Sequence, residues 1–411
     1  MSMTTRLVFL LSQIIAYGSG IDLDITSDTP SIERTNHEEE KGFFANASTL
    51  EDVWNDLKAF VPNRGSNGYV QPKNEIIELF GKIVLNMLTI GQADVLKKAQ
   101  KDWFWIDCNG EALVDRYGLV RAPDSCESID LGSLKGKYRV GTFVDRENGR
   151  SYCILATTSI LYPWGNVIVD LDTSSATKNL SFDCPHPKFD AQTAEQGIRM
   201  LKGTRARSWI VAGSHRMANN DSPGTCQPQH YVSDAAHSPD NCFHAAVEAV
   251  KFYYDSVVFQ DYTSVQLHGM GKATCGTVDT FLSHGSCSIT PADEKEEKID
   301  ILQKIAQSHP LDDGHHAVAG RDGGACNLCG STNIQGRLIN GVPRNDLCNT
   351  VASSHNGQFI QIEQKIDYRT EAYAQFWNDV FNEAYPQFSA LSKPKITSYE
   401  QVCTAGREPE L

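Results

Sequence analysis

Four short apolar runs in this sequence end in side chains able to do chemistry. The first is Phe182-Asp-Cys-Pro-His186-Pro-Lys-Phe-Asp190, where two prolines hold His186 on a rigid turn and Asp190 follows four residues later. An imidazole and a carboxylate so placed can share one Zn²⁺ through nitrogen and oxygen. The alternative is Asp190 capping the next helix, with His186 a surface turn residue. The second run, Ser264-Val-Gln-Leu-His268-Gly-Met-Gly271, delivers His268 to a glycine-rich turn. Glycines there let a metal or substrate approach the backbone; otherwise His268 is a core residue bonded to a carbonyl. The third, Phe359-Ile-Gln-Ile-Glu363-Gln364, ends in a carboxylate. Desolvation raises the pKa of such a group, which suits a general base acting on metal-activated water, unless Glu363 pairs with a structural cation. The fourth, Ile210-Val-Ala-Gly-Ser-His215-Arg216-Met-Ala-Asn219-Asn220, presents an Arg with two Asn. Asn333-Ile-Gln-Gly-Arg337-Leu-Ile-Asn340 offers a similar group. A guanidinium pairs bidentately with a substrate carboxylate, although either Arg can equally form a surface salt bridge.

Seven of the 12 histidines fall between positions 186 and 284. Asp234-Ala-Ala-His237 and Phe243-His244 lie among them; Asp234 could orient a ligand histidine, and His244 reads as a helical core residue. Cys326-Asn-Leu-Cys329 has no second CxxC and no strand ahead of it, so disulfide bonding to partners elsewhere is the better reading. No HExxH, GxSxG, P-loop or GxGxxG string occurs.

These residues need elements to hold them. Strands are expected at Tyr138–Phe143, Tyr152–Ala156, Asn166–Asp170, Leu180–Asp183, Ser208–Ala212, Ser256–Phe259, Ser264–Leu267 and Gln358–Ile362. Helices are expected over residues 191–202, 241–254, 293–308 and 370–384. Strands alternating with helices predict an α/β fold, a mostly parallel or mixed central sheet with flanking helices. In such sheets ligands bind at the carboxyl ends of strands, where several of the histidines fall. Helical periodicity also covers residues 48–62 and 73–102, and Ser48 with Glu51 reads as a capping box. The 411 residues are expected to divide into a signal peptide (1–18), a leader with a helical, disulfide-containing region (19–135), an α/β domain carrying the candidate metal and base residues (136–388) and a tail (389–411).

Composition narrows the setting. Hydrophobic residues are 40% and charged residues 21%, which excludes a mainly disordered or collagenous chain. The net charge of −14 comes without a basic block, so nucleic acid is not an expected partner. Arg6, the apolar run Leu7–Tyr17 and the small residues Gly18, Ser19 and Gly20 have the form of a secretory signal, too short to span a bilayer comfortably. After its cleavage no membrane contact is expected, and the protein is read as secreted. Behind such a signal the 12 cysteines allow up to six disulfides. Asn46, Asn179 and Asn220 begin Asn-x-Ser sequons, making the chain a candidate glycoprotein.

The order of the segments resembles the N-formylglutamate amidohydrolase-like and aspartoacylase-like branch of the zinc carboxypeptidase superfamily. His186 with Asp190, Arg216 with Asn219 or Asn220, His268 in Gln-Leu-His-Gly, and Glu363 in Ile-Gln-Ile-Glu-Gln follow that family's sequence of motifs, over roughly residues 180–370. Phe243-His244 and the turn at Gly336-Arg337 also look like pieces of it. The resemblance implies Zn²⁺ held by His186, Asp190 and His268, with Glu363 as base. It also implies Arg216, Asn219, Asn220, Arg337 and Asn340 as substrate contacts. The family pattern is His-x-x-Glu, whereas here Asp190 is one carbon shorter and one residue further on; His215, Asp234 or His237 could take its place. The reading is a secreted zinc-dependent hydrolase of amide bonds, acting on a small molecule or peptide with a free carboxylate. The alternatives are a non-catalytic secreted binding protein on the same fold, or a glycosidase or esterase.

Overall fold

The structure is a computed structural model that describes residues 44–96, 122–286, 296–310, 317–319, 326 and 328–391. The expected signal sequence, the leader as far as position 43, Cys108 and the tail beyond 391 lie outside the described residues. No helix among the described residues is long and apolar enough to cross a membrane.

The strands are β1 (Tyr138–Val144), β2 (Ser151–Thr157), β3 (Asn166–Asp170), β4 (Lys178–Cys184), β5 (Ala206–Val211), β6 (Thr263–Gly269), β7 (Thr280–Ser283), β8 (Ala317–Ala319) and β9 (Phe359–Gln364). They form one nine-stranded sheet in the order β1-β2-β3-β5-β4-β6-β9-β7-β8. The central strands β5, β4, β6 and β9 are parallel; β1, β2 and β3 join β5 through antiparallel pairings. On the other side β7 pairs antiparallel with β9 and parallel with β8. The α/β class and the mixed sheet are therefore as the sequence predicts.

The helices are α1 (Leu50–Lys58), α2 (Asn74–Thr89), α3 (Thr193–Thr204), α4 (Cys242–Phe252), α5 (Lys298–Ser308), α6 (Ile334–Ile339) and α7 (Ala374–Leu391). They cover both faces of the sheet. Ile76 to Leu88 of α2 and Phe243 to Phe252 of α4 share one core with Leu155, Val167, Val169 and Ile210. Buried side chains of α1, α3, α5 and α7 share the other with Ile154, Ile168, Phe182, Trp209, Val265 and Ile362. Adjacent strand residues point to opposite faces, which is why neighbours such as Val169 and Ile168 join different cores.

Three local expectations change. The capping box of α1 is one residue later than the sequence suggested: Thr49 Oγ1 accepts from Asp52 N–H, and Asp52 accepts in return from Thr49 N–H. Thr49 and Asp52 supply the same chemistry as a Ser–Glu box, and Leu50 is then free to turn inward. Ser256–Phe259 is not a strand, because α4 runs on as a π-type turn over Tyr253–Val257. Buried Tyr253, Tyr254 and Val257 continue the inner face of that helix, and packing overrides the β-branched composition. The helix expected over 73–102 has its first segment end at Thr89.

Candidate metal centre

At the carboxyl end of β4 the chain enters the Pro185–Pro187 turn and presents His186 inward. His186 Nδ1 lies 3.0 Å from Asp190 Oδ2, and its Nε2 lies 2.9 Å from Asp234 Oδ1. His268, near the end of β6, brings its Nδ1 to 3.4 Å from the same Asp190 oxygen. Its Nε2 lies 2.6 Å from Gln266 Oε1, an atom that also accepts from Asn333 Nδ2. The two imidazole centroids are 5.1 Å apart. The ligand atoms of His186, Asp190 and His268 all fall within 4.8 Å of one another, as do those of His186, Asp234 and His237.

Asp190 does not cap the following helix. That helix starts at Thr193 with Gln192 in the cap position and no side-chain cap bond, while the Asp190 carboxylate faces the two histidines. Burial disfavours its charge, but His186 and His268 outweigh that and hold it well below the usual carboxylate range. Asp234 follows the same logic: burial opposes its ionisation, and His186 and His237 overcome it. Burial and Arg216 press the His186 pKa down, yet Asp234 and Asp190 win and the net shift is upward. His237 Nδ1 lies 2.9 Å from Asp234 Oδ1, but burial dominates and takes its pKa down to about 4.

Glu363 sits on β9 in register with His268 on β6. Gln361 Nε2 donates to its Oε1 at 3.1 Å. Burial raises its pKa, with His268 pulling the other way. Arg369, not among the residues the sequence singles out, places its charge where it acts on both Asp190 and Glu363. Its Nη1 donates to the Ala191 carbonyl at 2.8 Å, and it passes so close to Gly269 that a Cβ there would sit 2.1 Å from that nitrogen. The glycine after His268 thus makes room for a guanidinium, and Arg369 six residues after Glu363 was the signal available.

The remaining candidates divide. Arg216 Nη2 is 2.5 Å from Asp234 Oδ2, and its guanidinium carbon is 5.2 Å from the Phe189 ring centre. His215 packs edge-on to the same ring and accepts from Met217 N–H. Asn219 ties to the backbone of Tyr69, and Asn220 is exposed. His244 is buried on α4, 3.4 Å from Gln335 Nε2. The polar contacts of Arg337 and Asn340 do not reach His186 or His268. Arg337 donates to the carbonyls of Ser331, Leu347 and Cys348, and Asn340 donates to the His284 carbonyl. Both belong to the short α6 and its C-terminal end, where a loop carbonyl cluster takes up their donors.

No protein-family model matches the sequence, and no curated protein matches it. Solved structures do. The chain is similar to a bacteriophage poly-gamma-glutamate hydrolase at 13% identity, over 56% of this chain and 91% of that one, with a TM-score of 0.29. It is similar to a succinylglutamate desuccinylase from Vibrio parahaemolyticus at 13% identity, over 63% and 80%, with a TM-score of 0.30. It is also similar to a metallo-carboxypeptidase from Burkholderia cenocepacia at 8% identity, over 62% and 68%, with a TM-score of 0.30. Desuccinylase and metallo-carboxypeptidase structures are among those this chain is similar to, at low identity and over part of its length.

Proposed function

We propose that this chain is a zinc-dependent hydrolase of amide bonds, acting on an N-acyl amino acid or a peptide with a free carboxylate. One observation carries the reading: the Nδ1 atoms of His186 and His268 converge on a single oxygen of Asp190, while both far ring nitrogens are already held. Ligand histidines are oriented in this way, with the distal N–H given to a carboxylate or amide oxygen. Two imidazoles and a carboxylate suit Zn²⁺, and His186, His268 and Asp190 would hold it. The ion would supply Lewis acidity and lower the pKa of water.

The protein's own groups carry the rest. Asp234 fixes His186 with its proton on Nε2, and Gln266 does the same for His268. Glu363 has Oε1 engaged by Gln361, so Oε2 takes the proton from water and returns it to the leaving amine. Its raised pKa brings it nearer the working pH and favours both transfers. Arg216, with Asn219 and Asn220 following it in the chain, and Arg369 are the candidates to bind the substrate carboxylate or polarise the scissile carbonyl. The disulfides Cys126–Cys153, Cys226–Cys348 and Cys275–Cys326 support an oxidising compartment and hence secretion.

The test is metal analysis of the purified chain, followed by a panel of N-acyl amino acids and peptides with and without chelator. Turnover that falls on chelation and returns with Zn²⁺ is expected. Turnover that survives chelation would point to a carboxylate-pair hydrolase, and a chain that binds such ligands without metal or turnover would be a binding protein.

A further inference from the structure

A second cluster lies at the opposite edge of the sheet. β7 runs antiparallel to β9, with Ser283 paired to Gln361, so His284 comes out beside the start of β9. Glu363 is four residues further along that strand than Phe359, or about 13 Å away. His284 is only 2% exposed. Its Nδ1 lies 2.8 Å from the Phe359 carbonyl oxygen, which fixes the proton on Nδ1 and leaves a lone pair on Nε2. That Nε2 is buried with no hydrogen-bond partner.

Two other ligands face it. Glu297 Oε2 is 3.8 Å from His284 Nε2, and Glu297 Oε1 is 3.3 Å from His355 Nε2. The His284 and His355 rings stack at 4.5 Å with 18° between their planes. The ligand atoms of the three residues lie within 4.8 Å of one another. Two atoms bound to one tetrahedral Zn²⁺ at 2.0–2.1 Å stand about 3.4 Å apart, so the cluster is close to that spacing. The lone pair of a neutral imidazole pointing at a carboxylate oxygen is repulsive unless a cation sits between them. A shared proton does not bridge them, because the 3.8 Å between His284 Nε2 and Glu297 Oε2 is beyond hydrogen-bond reach. Lys298 is the nearby fixed positive charge, and it is occupied by Asp261 Oδ2 and Thr263 Oγ1, each at 2.9 Å.

We propose that His284, Glu297 and His355 form a second metal site for Zn²⁺ or a similar transition-metal ion, separate from the centre at His186. The ligand set is two imidazoles and one carboxylate, with a fourth position for water. Asn340 Nδ2 donates to the His284 carbonyl, and Glu297 is held at the start of α5 by its reciprocal cap with Asp300, so two of the three ligands are fixed beforehand. The ion ties the end of β7, the start of α5 and the loop before β9 together. The site does not depend on the reaction proposed above.

The experiment uses the whole disulfide-bonded chain, stripped by chelator and titrated with Zn²⁺. In a His186→Ala/His268→Ala chain, one equivalent should still bind and raise the melting temperature, and both effects should vanish on adding His355→Ala. His355 is partly exposed at 17%, so its removal should leave the metal-free fold intact. If the double variant does not fold, the same comparison in the unaltered chain should show His355→Ala, or Glu297→Gln, removing one equivalent. Unchanged zinc stoichiometry and an unchanged zinc-induced melting shift in the variants would overturn the proposal. So would a folded His186→Ala/His268→Ala chain that binds no Zn²⁺.

Discussion

His186 is held from both sides, by Asp190 at one ring nitrogen and Asp234 at the other, and its chemistry follows from that pair. Glu363 is different, since its carboxylate touches Gln361 and stands in register with His268 without an Arg or Lys bonded to it among the described residues. If it is the base, Glu363→Gln should keep the fold and bound metal while kcat falls by ~10²–10⁴. If it serves structure instead, the variant should melt earlier with its turnover intact. Measuring kcat and the melting temperature on that one variant separates the two, and normal turnover would remove the chain's best base. The side chains flanking Glu363 show what a sequence can reveal about a site. His186, Asp190, His268 and Glu363 stood out because each closes an apolar run, and the structure gathers all four on one sheet edge. Arg369 and Gln266 were not singled out. Arg369 follows a short turn, and Gln266 lies inside a strand, where an amide looks like any other buried polar residue.

At the scale of elements, the parallel strands carry a polar seam on one face. Ser181 and Asp183 of β4 lie beside Ser264, Gln266 and His268 of β6, while Phe182, Val265 and Leu267 point to the other core. The period-two alternation is present in Ser-Val-Gln-Leu-His, but a strand buried on both faces is expected to be apolar throughout, so the sequence marks His268 at the end of the run and not the polar seam along it. Asp183 lies in this seam with no cation bonded to it among the described residues; it accepts from Ser181 Oγ at 2.7 Å and Ser264 Oγ at 2.5 Å. Burial pushes its pKa up to about 6. The folded state therefore binds its proton more tightly than the unfolded chain, where Asp titrates near ~3.9. This contribution to stability is full below the unfolded pKa and is lost as pH rises through about 6. Asp183→Asn lacks that loss, so its melting temperature relative to the original chain should rise between pH 4.5 and pH 7.5. A constant difference across that range would contradict the buried acid. Helix α3 gives a second test. A Cβ on Gly197 would lie 2.7 Å from Trp209 Nε1 and 2.9 Å from Cys184 Sγ. Gly197→Ala should lower stability by ~1–3 kcal/mol in denaturant unfolding, even though alanine gains up to ~1 kcal/mol in a free helix.

For the molecule as a whole, the cysteines separate into two kinds. Cys184 and Cys242 are free, buried thiols, so six disulfides cannot form and ten of the 12 cysteines remain for at most five. Burial raises both thiol pKa values, which makes them inert in the native state. The CxxC does not close on itself, since Cys326 pairs with Cys275 and Cys329 is disulfide-bonded as well. Spacing alone could not assign these pairings, because they join segments far apart in the chain that only the folded sheet brings together. Cys226–Cys348 spans 122 residues. Closing a loop of about 100 residues is worth ~4.7 kcal/mol in the chain-entropy model, so Cys226→Ser/Cys348→Ser should lose ~3–5 kcal/mol in denaturant unfolding. A loss below ~1 kcal/mol would show that native strain or residual structure cancels the constraint.

The same bond has a mechanical consequence. The ring from Cys226 to Cys348 encloses Asp234, His237, Gln266 and His268, along with the Cys275–Cys326 bridge, while His186, Asp190 and Glu363 lie outside it. A pull applied at the chain ends passes through the sulfur bridge and leaves the ring's interior slack. Cys226–Cys348 holds back 122 residues and Cys126–Cys153, outside the ring, another 27, so these bonds should make the oxidised chain extend about 540 Å less than the reduced one in a single-molecule stretch. Tension would draw β4 and β9 away from β6, parting the His186 half of the centre from the His268 half while the ring kept its own residues tethered.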